Sequence, residues 1–252
     1  MDLIVDDREL DFPEDAFELL ASSEDKNFWF RSRNTLIKHL LSRYAPECGN
    51  LMEIGCGSGF VLRSLAAMYP QAEIHGAEYS VVGLQHAVRR VPGARFYRMD
   101  ARSMPFREEF DLIGMFDVLE HIEEDVEVLQ EMYRALKPAG ILLVMVPQHM
   151  CLWSATDEIA QHKRRYSRRE LEAKARSAGF GVVKSGSFMS LLFPAMWASR
   201  KLMSRDNAGE SELQMNPALN YCFWGVSLFE ILLRKIGIGF PFGGSLFSIL
   251  RK

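Results

Sequence analysis

The segment LMEIGCGSGF sets Gly55, Gly57 and Gly59 between a short apolar run, Asn50–Ile54, and a helical pattern over Phe60–Tyr69. Glycines at a strand-to-helix junction let the backbone turn tightly and approach a ligand. The free amides of the helix N-terminus then favour an anionic group. A dinucleotide loop would read G-x-G-x-x-G, with the third glycine packing helix on strand. Here the third glycine comes one residue early and Phe60 fills the last slot. Glu53 lies two residues before the first glycine, inside the apolar strand. Buried acids are rare without a partner, and a cationic ligand group would be one.

These residues need a scaffold, and the middle of the chain supplies its pattern. After Phe60–Tyr69, with Val61, Leu62, Leu65 and Met68 on one face, Ala72–Ala77 reads as a second strand and Ser80–Arg90 as a helix with Ser80 as N-cap. Ala94–Met99 is a third strand, Phe110–Phe116 a fourth, Asp125–Leu136 a helix, and Ile141–Val146 a fifth strand. Ile141–Val146 is apolar throughout, as strands buried on both faces of a parallel sheet are. Arg168–Ser177 is a further helix, and Gly181–Ser187 and Ser245–Arg251 are strands. This alternation predicts an open α/β sheet with right-handed crossovers, which binds ligands at the carboxyl ends of its strands. Residues 27–44 predict an amphipathic helix with Phe30, Ile37, Leu40, Leu41 and Tyr44 inward, preceded by a loose acidic arm or short helix over 1–26.

With these elements placed, the chain resembles the class I S-adenosylmethionine-dependent methyltransferases over roughly residues 50–187. E-x-G-C-G-S-G, from Glu53 to Gly59, is similar to that family's first motif. The resemblance implies a Rossmann-like seven-stranded sheet with helices on both faces, and S-adenosylmethionine as cofactor. It implies that Glu53, Gly55, Cys56, Gly57 and Gly59 hold the amino-acid end. Glu78, with Tyr79 beside it, would take the ribose hydroxyls, and Asp100, with Ala101, the adenine amino group. Phe116 and Asp117 would lie against the cofactor at the end of the fourth strand, in FDLIGMFDVLEHIEED. LKPAG before ILLVMVP is similar to the family's LKPGG turn, with Ala139 as a small departure. The aromatic-basic run Phe28–Arg33 resembles a segment that precedes the core in similar proteins, which would place Arg31 or Arg33 near the cofactor carboxylate.

Methyl transfer from a sulfonium is an in-line displacement with an activated leaving group, so positioning supplies much of the catalysis. A base is needed only for a hydroxyl or a protonated amine. The candidate bases are His121, four residues after Asp117, His149, just after the fifth strand, and His162 in HKRRYS. HKRRYSRRE gathers Lys163, Arg164, Arg165, Arg168 and Arg169, either a solvated turn or an anion contact for phosphate. No N/D-P-P-Y follows the fourth strand and no Pro-Cys stands there, which argues against DNA methylation. Gln148-His149 stands where the catechol-type enzymes carry an Asp-Asn metal pair, so no metal is expected.

The domains expected are an acidic arm and helix over 1–44, a core over 45–187 and 241–252, and an apolar helical insertion over 188–240. The insertion carries Leu191, Leu192, Met196, Trp197, Phe223, Trp224, Phe229, Ile231, Leu232, Leu233 and Ile236, flanked by Arg200, Lys201, Arg205, Arg234 and Lys235. Such a surface suits a lid over a hydrophobic acceptor, a peripheral membrane contact or a homodimer interface. No apolar stretch there reaches the ~20 residues of a membrane span. Apolar residues make up 48% and charged residues 25% of the 252, which excludes disorder and simple repeats. A net charge of −3 gives no general attraction to nucleic acid. The four cysteines lack CxxC spacing, and the acidic N-terminus carries no secretory signal, so a cytoplasmic place is expected, extending to the inner membrane surface. The expected function is methyl transfer to a small, hydrophobic or phosphate-bearing acceptor. The alternatives are a non-catalytic S-adenosylmethionine-binding module and a nicotinamide-dependent oxidoreductase.

Overall fold

The computed structural model describes residues 2–3, 18, 21–202 and 215–252. Eight strands form one sheet: β1 (Asp2–Leu3), β2 (Asn50–Ile54), β3 (Glu73–Ala77), β4 (Arg95–Arg98), β5 (Phe110–Phe116), β6 (Leu136–Pro147), β7 (Gly181–Phe188) and β8 (Ser245–Arg251). Their spatial order is β1-β4-β3-β2-β5-β6-β8-β7. All pairings are parallel except those of β8, which runs antiparallel between β6 and β7. The chain winds outward from β2 through β3 and β4, then returns to β5 on the other side of β2. A crevice therefore opens at the carboxyl end of β2, where the glycine loop begins.

Helices cover both faces. On one lie α1 (Phe28–Tyr44), α2 (Phe60–Met68) and α3 (Val81–Arg90), whose Leu36, Ile37, Leu41, Leu62, Leu65 and Leu84 pack on Leu51 and Leu112 of the sheet. On the other lie α4 (Asp125–Ala135) and α6 (Arg168–Ser177), whose Val128, Leu129, Met132 and Leu171 meet Met52, Ile54, Ile113 and Met115. Leu51 and Met52 thus face opposite layers, as the twofold period of a strand requires. Each such side chain contributes about 1.5–3 kcal/mol by leaving water. The helix starts follow local chemistry: Asn27 accepts from the Trp29 amide and Ser80 from the Gly83 amide.

The seven expected strands are present as β2–β8, and Asp2–Leu3 adds a two-residue edge beyond β4. Two expectations change. LKPAG does not precede the fifth strand of the core but lies within β6. The pairing jumps from Phe110↔Leu136 to Leu112↔Ile141, and Ala139 takes a left-handed φ of 64° in the resulting bulge. Tyr44 is only partly buried. The rest of the expected arm, 4–17 and 19–20, lies outside the described residues, as do 203–214 of the insertion.

Between β7 and β8 run α7 (Phe193–Leu202) and α8 (Pro217–Lys235); a short α5 (Ala155–Ile159) precedes α6. α8 packs on α1 through Phe28 and Phe223, whose ring centroids are 5.3 Å apart, and through the Asn220 side chain, which accepts from the Phe28 amide. Leu192 and Ile231 are buried, but Phe229, Leu232 and Ile236 are more than half exposed. Among the described residues no helix is long and apolar enough to cross a membrane.

Candidate functional site

The glycine loop leaves β2 and turns into α2 through three left-handed residues, Gly55, Gly57 and Gly59, with φ of 65°, 51° and 78°. A side chain at Gly55 would strike Val118, and one at Gly59 would come within 3.0 Å of the Ala87 backbone. Gly59 is the N-cap of α2, and no side chain among the described residues caps that helix, so its first amides are open to an anion. Cys56 is buried, and burial pushes its thiol up, which leaves it inert as a nucleophile.

Two carboxylates frame the loop. Glu53 stands in register with Gly76 on β3 and Gly114 on β5. It is 2% exposed, and its Oε2 has no hydrogen-bond partner among the described residues. Burial raises its carboxyl well above the usual range; Arg33 pulls it down, and Glu24 and Glu78 push it further up. Glu78 follows β3 and accepts from the Gly57 amide at 2.9 Å and from the Ser80 amide at 2.9 Å, one on each oxygen. Burial raises its carboxyl and these amides oppose the rise. Tyr79 follows, with the Arg98 guanidinium on its carbonyl and 5.5 Å from its ring. Asp100, beyond β4 and next to buried Ala101, is held by the Arg102 guanidinium at 2.7–3.0 Å. From the N-terminal side, Glu24 accepts from the Ser58 hydroxyl at 2.5 Å and from Arg90 at 2.7 Å, closing a turn over the loop.

At the end of β5, Phe116 is buried and Asp117 takes a left-handed φ of 55°. Arg33 of α1 pairs with Asp117 and lies 4.4 Å from the centre of the Trp29 ring; Arg31 instead stacks on Trp224. His121 and His162, expected as alternative bases, meet with ring centroids 4.8 Å apart. Burial, and then His162, pushes His121 down to about 3. His162 Nδ1 lies 2.9 Å from Asp157, which Arg165 also grips at 2.7 and 3.0 Å. Burial alone would raise Asp157, but His162 and Arg165 hold its carboxyl at about 2. His149 is apart from this pair: its ring centroid is 6.0 Å from Phe193, which in turn is 5.4 Å from Phe242.

Two site residues escaped the sequence reading. Glu120 is fully buried, and neither carboxylate oxygen has a hydrogen-bond partner among the described residues. Asp157 orients His162 from a short helix that carried no motif. The basic run also reads differently in space, since Arg164 pairs with Asp125 and Glu123, and Arg165 with Asp157. Those two guanidiniums are occupied by the protein's own acids.

Residues 52–144 match the family described as "Methyltransferase domain". A curated relative from Mycolicibacterium smegmatis, named "Probable S-adenosylmethionine-dependent methyltransferase", is 26% identical over 161 residues, which is 63% of this chain and 61% of the relative. The chain thus spans about three fifths of that relative's length. A trans-aconitate 2-methyltransferase from Methylobacterium nodulans is 33% identical over 100 residues, 40% of this chain and 39% of the relative. Among solved structures, phosphoethanolamine N-methyltransferase 2 of Haemonchus contortus, with S-adenosyl-L-methionine bound, superposes with a TM-score of 0.63 at 18% identity, covering 95% of this chain and 57% of that one. A [4+2]-cyclase has a TM-score of 0.57 at 19% identity, covering 86% and 79%.

Proposed function

We propose that this protein transfers a methyl group from S-adenosylmethionine to a small acceptor, hydrophobic or phosphate-bearing, a reading supported by the match of residues 52–144 to a methyltransferase domain and by a fold like that of an S-adenosylmethionine-binding enzyme. The observation that carries the reading is Glu53, a buried carboxylate with an oxygen that has no partner among the described residues, beside a glycine loop and an open helix start. A zwitterionic amino-acid group fits both: its ammonium answers Glu53 and its carboxylate the amides of α2. Glu78 offers two oxygens to adjacent hydroxyls. S-adenosylmethionine supplies a methyl on a positively charged sulfur, a leaving group that needs no further activation.

The protein's share is to hold and orient. Arg33 and Asp117 join α1 to the end of β5, and the turn at Glu24 closes over the loop. For the acceptor, the Phe193 ring beside His149, with Phe242 packed on Phe193, favours an apolar molecule. The pairing of Arg164 and Arg165 with internal acids weakens the phosphate alternative. His149, kept neutral by burial and then by Arg165, is our choice of base where the acceptor must lose a proton. The exposed apolar side of α8 extends the reading to an acceptor drawn from a lipid surface.

Calorimetric titration with S-adenosylhomocysteine tests the core of the reading. Saturable binding is expected, weakened at least about tenfold by Glu78→Ala, since hydrogen bonds to a charged group are worth about 1.5–3 kcal/mol. Unchanged affinity in that variant, or preferential binding of NAD, overturns it. Metabolites of a deletion strain lacking one methyl group would identify the acceptor; tight binding with no such product would leave a binding module. Flotation with liposomes at low and high salt tests the lipid contact, and no association at either removes it. A dimer in sedimentation would assign the α8 face to a second copy instead.

A further inference from the structure

We propose that Glu120, His121 and His162 form a binding site for one divalent transition-metal ion of the zinc type. One ligand atom from each, a carboxylate oxygen and two ring nitrogens, can be chosen so that all three lie within 4.8 Å of one another. Glu120 Oε1 and His162 Nε2 are 3.9 Å apart. That is too long for a hydrogen bond, yet near the roughly 3.4 Å that separates two ligands bound at about 2.0–2.1 Å to a tetrahedral ion.

The second observation is the carboxylate itself. Glu120 is 0% exposed, and neither oxygen has a hydrogen-bond partner among the described residues. A buried charge in that condition needs a cation or a proton. The cations nearby are engaged: Arg33 with Asp117, and Arg165 with Asp157. Glu120 is therefore left uncompensated among these groups. The imidazoles complete a donor set of two nitrogens and one oxygen, which suits zinc and its first-row neighbours more than calcium or magnesium.

The supports around the cluster also fit. His162 gives its Nδ1 to Asp157 at 2.9 Å, which directs Nε2 towards Glu120. A carboxylate behind a ligating histidine is the usual outer support of a metal site. Asp157 is fixed in turn by Arg165 and by the Ser154 amide at 2.9 Å. The two halves of the site are already joined by the Lys163 amide, which donates to the Glu120 carbonyl at 2.8 Å. Three protein ligands leave a fourth position open for water or an acceptor heteroatom. The cluster begins three residues after Asp117, at the carboxyl end of β5. The expectation of no metal rested on the position after the fifth strand of the core, which this cluster does not use.

The test is independent of cofactor binding. The full chain is dialysed against a chelator and titrated with Zn²⁺ in competition with a chromophoric chelator. One site of micromolar affinity or tighter is expected. It should raise the thermal midpoint, because a ligand that binds the folded state alone stabilises it. Co²⁺ should give visible d–d absorption of a low-symmetry site. His162→Ala should weaken Zn²⁺ at least tenfold and abolish the Co²⁺ band; Glu120→Gln should do the same where it folds. Asp157→Asn should weaken it about 10–100-fold while leaving one site. If the unaltered protein binds no Zn²⁺ at micromolar concentration, or if His162→Ala binds it equally well, the proposal is overturned and Glu120 is a buried neutral acid.

Discussion

Arg33 on α1 pairs with Asp117 at the carboxyl end of β5, across 84 positions of sequence. The pair ties α1 to the end of a central strand of the sheet. Both side chains are mostly buried, at 10% and 19% exposure. Removing one partner of such a pair leaves an uncompensated charge, so Arg33→Met should destabilise the protein by on the order of 2–3 kcal/mol in denaturant titration. Arg33→Met combined with Asp117→Asn should recover part of that loss. Equal stability of Arg33→Met and the parent would show the contact to be unimportant.

Glu53 should release a proton when the cofactor binds. Its carboxyl is raised by burial and by Glu24 and Glu78, against Arg33 alone. A ligand ammonium would add a second positive charge and drive the proton off. Affinity for S-adenosylhomocysteine should then rise with pH, by at most about tenfold per unit while one proton is released. Titration in buffers of different ionisation enthalpy measures the release. A proton count of zero at every pH would place the ammonium elsewhere.

Gly59→Ala should cost stability and cofactor affinity together. Its left-handed φ of 78° disfavours any Cβ by about 1–2 kcal/mol, and that Cβ would press on the Ala87 backbone of α3. A rigid helix backbone cannot yield as a side chain can. Gly93→Ala, where an added methyl meets nothing within 4 Å, is the control and should be near neutral. Thermal melts of both variants, with and without ligand, separate the two effects.

Asp125 should make the protein acid-sensitive. Burial would raise its carboxyl, but Lys174 at 2.5 Å, Tyr166 at 2.7 Å and Arg164 at 2.8 Å hold it below the usual range. A depressed folded-state value contributes stability above the unfolded value of about 3.9 and loses it as pH falls through the folded one. Asp125→Asn should therefore lower stability at neutral pH and flatten its fall below about pH 4. Parallel stability curves for the variant and parent would refute this.

The scaffold was largely legible because its signals are local. Asn50–Ile54, Phe110–Phe116, Arg168–Ser177 and Ser245–Arg251 have their read boundaries, each an apolar or amphipathic run with a clear stop. The glycine loop was legible because three spaced glycines have few other uses at a strand end. The bulge at Ala139 was not, since a strand that continues through Pro138 and Gly140 contradicts their usual meaning. Glu120 was hidden in LEHIEED, which reads as a solvated acidic run until the fold buries one member of it. Arg164 looked free because one of its partners, Asp125, lies 39 residues away. Charge patterns along a chain show what is present but not which groups meet.

Phe188 closes β7 and stands opposite Ser245, which opens β8. The chain therefore departs for α7 and α8 and comes home through a single doorway. That excursion is pinned to the sheet by Glu230, which accepts from the Ser190 and Leu191 amides, and to α1 through Phe223 and Asn220. On the proposed reading, Glu53 and Glu78, the groups that would hold the cofactor, lie wholly outside that excursion.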